Sequence, residues 1–174
     1  KSIGHFAGRM EYGPRALGNR SILADPRNRE MQRNLNLAIK KRESFRPFAP
    51  SCLEEDVEKF FDIKKGKKSP YMLLTQPISD SIKTNLTEEE KNYKGIEKLK
   101  AYRSTLPAIT HVNYSARIQT VSKEVNPRYW NIINEFKKLT DCSVVVNTSF
   151  NIRGEPIVNT PENAFKCFMF TDLD

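Results

Sequence analysis

The sequence holds little that would cross-link it or place it in a membrane. Its three cysteines are Cys52, Cys142 and Cys167, and no two are in Cys-x-x-Cys spacing. This argues against a disulfide framework and against a cysteine-based zinc site. Each lies in or beside an apolar run, so all three are expected as reduced core residues of a cytoplasmic protein. No hydrophobic run approaches the roughly 18 residues that a membrane-spanning helix needs. There are two histidines, His5 and His111, and each reads as a packed or hydrogen-bonded residue. Neither has a second histidine or a carboxylate cluster at ligand spacing, so no metal site is expected. No Gly-Lys-Ser/Thr closes the glycine-rich stretch near the start, so it is neither a Walker A loop nor a Rossmann fingerprint. Ser149 lacks a nucleophile elbow, which removes the usual hydrolase reading. The first residues have no signal-peptide core. They lead straight into a motif-bearing stretch, from which the chain is expected to be one domain of a longer protein.

What is present is positive charge, unevenly placed. The chain of 174 residues carries a formal net charge of +8, which suits nucleic acid, anionic lipid or a phosphorylated small molecule. Eight of the twelve arginines fall between Arg9 and Arg46, whereas lysines dominate elsewhere, as in Lys64-Lys65-Gly66-Lys67-Lys68. The planar fork of arginine suits bidentate recognition of phosphate or carboxylate. The N-terminal quarter therefore reads as a phosphate site and the lysine run as a solvated loop.

One domain over residues 1–174 is expected, with a sizeable core. Residues 3–7 read as a strand, followed by a loop rich in glycine and arginine through Arg20. Met31, Leu35, Ala38 and Ile39 predict a helix over 28–40. Residues 45–50 read as extended, and Ser51 with Glu54 as a capping box before a helical stripe of Leu53, Val57, Phe60 and Phe61. Strands are expected at 71–75, 108–112, 117–121 and 143–146, with a turn at 113–115. Asn126-Pro127 opens a helix to Leu139 that buries Trp130, Ile133, Phe136 and Leu139. Thr160-Pro161 opens another that buries Ala164, Phe165, Phe168 and Met169. Residues 79–104, polar and poor in large apolar groups, read as a peripheral insertion. This mixed order implies an α/β or α+β sheet with helices packed against it.

Two constellations stand out. Lys40 and Arg42 lie two apart at a helix end, and in an extended exit they would share a face. They read either as helix-end charge or as convergent anion ligands, with Arg46 close behind. Asn147, Ser149 and Asn151 alternate directly after the most strand-like run. They read either as a polar strand exit or as the wall of a ligand crevice. Arg15 and Arg20 flank the glycine-rich loop, where Glu11 reads as a partner of arginine and not as a catalyst. The inventory points to positioning and neutralising phosphates, which is most of what nucleotidyl transfer requires.

Residues 8–23, Gly-Arg-Met-Glu-Tyr-Gly-Pro-Arg-Ala-Leu-Gly-Asn-Arg-Ser-Ile-Leu, resemble the opening signature of the C-terminal domain of O-carbamoyltransferases of the nodulation and antibiotic-tailoring type. Residues 40–50, Thr110-His111-Val112, residues 117–121 and residues 147–151 match in the same order, so the resemblance spans nearly the whole chain. It implies a YrdC-like fold, a twisted mixed sheet flanked by helices around a concave basic pocket. It also implies a Lys-x-Arg plus Ser-x-Asn catalytic signature, which falls here on Lys40, Arg42, Ser149 and Asn151. Phosphate-binding arginines map onto Arg15, Arg46 and Arg117, with Asn147 beside them. The implied reaction is carbamoyl-adenylate formation from carbamoyl phosphate and ATP, with Mg²⁺ accompanying the nucleotide. A separate N-terminal domain would then transfer the carbamoyl group to a hydroxyl. One departure is Asn113-Tyr114, where the family usually has Asp-Gly. Two other readings compete: a non-catalytic YrdC-like module for nucleotide or RNA, and a docking domain that recruits a partner through residues 79–104.

Overall fold

A computed structural model describes residues 1–174 as a mixed six-stranded sheet with helices on both faces. In chain order the strands are β1 (Ser2–Phe6), β2 (Arg20–Ala24), β3 (Ala49–Leu53), β4 (Leu74–Pro77), β5 (Ser115–Val121) and β6 (Val144–Ser149). Their order across the sheet is β1-β2-β6-β3-β5-β4. All neighbours are antiparallel except β3 and β5, which run parallel. The helices are α1 (Met31–Asn34), extended by a wide π turn at Leu35–Ile39, then α2 (Val57–Phe60), α3 (Glu88–Lys91), α4 (Pro127–Thr140) and α5 (Pro161–Met169). None is long and apolar enough to cross a membrane.

The two faces of the sheet are covered differently. One carries a core of 24 buried residues, with Leu35, Ile39, Val57, Phe61 and Cys167 packed on Ile22, Ile118, Val144 and Val146. The other carries a smaller cluster, in which Tyr129 and Ile133 of α4 cover Leu23, Leu53, Val121 and Val145. Side chains two apart on a strand share a face. From α4 outward, this second face reads Val121, Gln119, Arg117 on β5 and Val145, Asn147, Ser149 on β6. Each strand thus runs from apolar, through amide, to cationic or hydroxyl. Ser51 pairs with both Gln119 and Val145, and Ala49 with Asn147, so the two amides are offset by one step and meet diagonally across β3. The middle step is a buried amide layer. Ser51 Oγ donates to Gln119 Oε1 at 2.6 Å, and Asn147 Nδ2 donates to Gln119 Oε1 at 2.9 Å.

Several elements differ from the sequence reading. Ser51 is a strand residue buried in the amide layer, not a helix cap, and Leu53 ends β3. Residues 108–112 form turns, because the carbonyls of Pro26, Leu106 and Ser115 take the N–H groups of Ala108, Ile109 and His111. Strand β2 went unrecognised, since its apolar stretch is short and leans on β1 and β6. Tyr129, not Leu139, anchors α4, and Leu139 is 85% exposed. On α5 only Cys167 is buried, and Phe165, Phe168 and Met169 face outward. Within 79–104 the ends enter the core through Ile82 and Ala101, while 85–100 stay on the surface.

The glycine-rich loop is held onto this frame at Gly18. Its φ of +120° is open to glycine, and a Cβ there would lie 2.2 Å from the Tyr129 ring. Its carbonyl accepts from His5 Nδ1 at 2.5 Å. Gly18→Ala therefore combines backbone strain with a clash against a fully buried ring. A loss of at least about 2 kcal/mol is expected in urea denaturation, against a smaller loss of about 1 kcal/mol for Gly66→Ala, where the added Cβ meets nothing and only the strain of φ +76° remains.

Candidate functional site

Helix α1 ends in a way that sets two cations. The Lys40 N–H bonds to the Leu35 carbonyl five residues back, at 2.9 Å. Lys41 then takes φ +47°, a left-handed conformation that favours glycine. The Arg42 N–H closes back onto the Asn36 carbonyl at 3.0 Å. Lys40 and Arg42 are therefore brought together by a reversal, not by the extended exit expected from their spacing. Strained left-handed residues of this kind cost on the order of 1–3 kcal/mol and are concentrated at functional sites.

Lys40 is only 4% exposed. Its Nζ donates to the Ser149 carbonyl, to Ser149 Oγ at 3.3 Å, and to Asn151 O and Oδ1 at 2.9 and 2.8 Å. Ser149 Oγ in turn donates to Asn151 Oδ1 at 2.7 Å, and Asn151 Nδ2 donates to the Glu155 carbonyl at 2.7 Å. Lys40, Ser149 and Asn151 are thus one hydrogen-bonded unit. Burial first, and the nearby Arg42 second, push the Lys40 pKa down to about 7. Arg42 Nε donates to Asn36 Oδ1 at 2.6 Å, and its guanidinium sits 5.0 Å over the Phe48 ring. Asn36 is fully buried and also donates to the carbonyls of Ser44 and Arg46. Arg46 is exposed and pairs with Glu43 at 3.0 Å.

Arg15 and Arg117 approach from the other side. Both Nε atoms are buried without a partner. Burial, then Arg15, push the Arg117 pKa down, and burial, then Arg117, do the same to His111. The loop carrying Arg15 is tied to the amide layer, where its Ala16 carbonyl accepts from Asn147 Nδ2 and its Leu17 carbonyl from Gln119 Nε2. Asn147 lies at the cleft floor with its Nδ2 committed and its Oδ1 free of partners. The backbone N–H groups at the end of this loop, residues 17–20, are already used. Those of Leu17, Asn19 and Arg20 converge on Glu11 Oε1 at 2.7, 2.7 and 3.4 Å. Glu11 is an internal anion that shapes the loop. Arg20 is a strut, buried over the Phe6 ring and donating to the carbonyls of Ala7, Gly8 and Asn19.

Arg15, Arg42, Arg46, Arg117, Asn147 and Ser149 line one cleft of about 510 Å³, with His111 and Thr75. A second hollow of about 250 Å³ adjoins it, sharing Arg42, Arg46 and Ser149 and adding Lys40, Asn151 and Arg153. Neither lining contains a carboxylate. Cations that depress one another without a facing anion are relieved by a ligand with several negative charges. No group of three or more His, Cys, Asp or Glu side chains is placed to hold a metal.

All eight nominated residues border this double cleft. Sequence reasoning missed His111, Asn36, Gln119 and Arg153. His111 was assigned to a strand that does not form. Nothing in the spacing of Asn36 marks it, although a polar residue beside Leu35 on a buried helix is a weak signal. Tyr114, at the departure from the family pattern, takes φ +58°, where glycine is favoured, and packs against the main core with Lys83 near its ring.

Asn36→Ala should release Arg42 and leave two part-buried carbonyls without their donor. The expected loss is about 1–3 kcal/mol in chemical denaturation. Calorimetric titration with pyrophosphate should also show weaker binding, whereas exposed Asn34→Ala should alter neither.

The chain matches the family described as carbamoyltransferase C-terminus over residues 1–174. It is 58% identical over 172 residues to an uncharacterised protein of Synechocystis sp., covering 99% of this chain and 28% of that protein. It is 47% identical over 173 residues to nodulation protein NolO of Bradyrhizobium diazoefficiens, covering 99% and 28%. It is 38% identical over 152 residues to the 3'-hydroxymethylcephem-O-carbamoyltransferase of Amycolatopsis lactamdurans, covering 87% and 24%. The chain therefore spans about a quarter of the length of these curated relatives. A cleft lined by arginines and by no carboxylate, built by motifs that run the length of the chain, accompanies a match over every residue: the chain belongs to the carbamoyltransferase C-terminal domain family.

Proposed function

We propose that this chain activates a carbamoyl group as its adenylate, using ATP and carbamoyl phosphate. The observation that carries the reading is the double cleft, whose lining has five arginines and a lysine and no carboxylate. Carbamoyl phosphate takes up water to give carbamate and inorganic phosphate. A carbamate oxygen then bonds to the α-phosphorus of ATP. The bridging α–β P–O bond breaks, and its electron pair leaves on pyrophosphate. Negative charge accumulates on phosphate oxygens throughout, so fixed cations are the main requirement.

The chain's residues divide this work. Arg15 and Arg117, free at Nε, take the phosphate tail, with Arg46 at the rim. Arg42, fixed by Asn36, orients the carbamoyl donor. Lys40, with Ser149 and Asn151, meets the α-phosphate region, where a cation offsets developing charge. Asn147 and Gln119 hold the Arg15 loop. When bound, Mg²⁺ would supply further charge neutralisation on the nucleotide, and the cleft lining offers it no carboxylate. Transfer to a hydroxyl acceptor falls to the remainder of a protein of the relatives' length. A convergent cleft favours a small polyanion over an RNA strand, which calls for a basic stripe with stacking aromatics.

The full-length protein should exchange labelled pyrophosphate into ATP only when carbamoyl phosphate is present. Lys40→Ala and Ser149→Ala should each reduce that exchange by about a hundredfold or more. Exchange that survives both substitutions unchanged would sink the reading.

Affinity should also depend on pH through Lys40. With a pKa of about 7 in the free protein, Lys40 loses its proton as pH rises, and the bound polyphosphate loses a cation. ATP affinity measured by calorimetry from roughly pH 6 to pH 8 should fall more steeply than in Lys40→Met, by up to about tenfold. His111, pushed below its ordinary value, adds a smaller slope at the acid end, which His111→Gln should remove.

A further inference from the structure

Helix α5 has an apolar face with nothing on it. Phe165, Phe168 and Met169 lie at i, i+3 and i+4 and so share one face, yet they are 65%, 42% and 61% exposed. Phe170, also 65% exposed, follows at the end of the helix, and a groove of about 240 Å³ lined by Ile152, Ile157 and Val158 runs along the other side of α5, past Lys166 and Cys167. Ile3, on the edge strand β1 against which α5 packs, is 44% exposed. Singly exposed apolar residues are ordinary, but three aromatic rings and a methionine on one short helix are an interaction surface.

We propose that this face docks a companion domain carried on the same polypeptide in proteins of the relatives' length, a proposal that rests on reading the chain as the activating half of a two-part enzyme. Two observations select this occupant. The matched relatives are about four times longer than the segment they share with this chain. The two ends of that segment also meet beside α5: Ser2 N donates to Asp174 Oδ2 at 2.7 Å, and Asp174 N donates to the Ser2 carbonyl at 2.9 Å. Wherever the relatives' longer chains continue beyond the matched segment, at one end or both, they leave from this corner. A tethered domain there has a high effective concentration at the apolar face, so modest contact area suffices to hold it. The groove is also close to the chemistry. Its wall includes Ile152 and Glu155, and the Glu155 carbonyl holds the Asn151 amide. The groove, on the far side of α5 from that face, thus adjoins the Lys40 end of the cleft.

Thiol labelling of the full-length protein tests the assignment. The chain's own cysteines are all buried, so Phe165→Cys and Met169→Cys introduce accessible thiols on α5. Leu139→Cys, on α4 over the opposite face of the sheet, is the exposed reference. Rates read peptide by peptide by mass spectrometry should be at least about tenfold slower at 165 and 169 than at 139. Equal rates overturn the proposal. Protection that disappears on dilution signals a second copy as the occupant and also overturns it. The readout is independent of pyrophosphate exchange: loss of exchange with intact protection rejects the activation chemistry alone, and exposed thiols with intact exchange reject the docking alone.

Discussion

The Lys40 ammonium is buried without a carboxylate. Carrying a charge to 4% exposure is costly unless its hydrogen-bonding capacity is met. Here two backbone carbonyls, a hydroxyl and an amide oxygen meet it, all from Ser149 and Asn151. These acceptors come from the far end of β6, over 100 residues away in sequence. The interaction therefore fixes where α1 ends, where β6 ends and how the loop after it turns. It also leaves the ammonium poorly neutralised, which is what a phosphate site needs. A carboxylate partner would have stabilised the fold and cancelled the charge.

The same arrangement recurs across the second sheet face. Its cations rest on an amide layer that supplies hydrogen bonds without charge. Ser51, Asn147 and Gln119 lock the Arg15 loop to the sheet, while Glu11 satisfies the loop's backbone donors from within. The only acid close to the rim is Glu43, which is spent on exposed Arg46. Neutral side chains hold Arg42 and the Arg15 loop, so their geometry does not depend on losing their charge. Mutual repulsion among Arg15, Arg117 and His111, and between Lys40 and Arg42, is an energetic cost of the ligand-free state. A bound polyanion removes it, and that difference adds to affinity.

Much of this was readable from the sequence, for identifiable reasons. The π turn of α1 carries regularly spaced apolar residues, and α4 has strong capping signals at Asn126-Pro127 and Thr160-Pro161 opens α5 in the same way. Local chemistry therefore set their position to within a few residues. Local chemistry did not fix which side of a helix would be covered. Phe165, Phe168 and Met169 follow the periodicity of a buried stripe, and periodicity alone cannot say whether the buried partner is this sheet or another surface. The site residues Lys40 and Arg42 were nominated with the wrong geometry, because a left-handed lysine at position 41 is not signalled by its side chain. Asn36 and Gln119 act through tertiary contacts, at 0% and 4% exposure; Asn36 forms no motif with its neighbours, and the motif that holds Gln119 does not mark it apart from Arg117.

The exposed face of α5 and the open cleft bear on one another. A carbamoyl-adenylate is a mixed anhydride that water destroys, so an enzyme making one has to exclude solvent during formation and transfer. The cleft cannot do this alone: Pro14 and Arg46 at its rim are exposed, as is Arg153 at the second hollow. The loop Asn151–Glu155 lies between that hollow and the α5 groove, contributing lining residues to both. The Phe165–Phe168–Met169 face points away from that groove, so a domain anchored on it has to reach around α5 to cover this part of the wall. Arg153 at this wall is exposed and has no acidic partner within salt-bridge distance, so it is a cation that any domain covering the wall would have to meet.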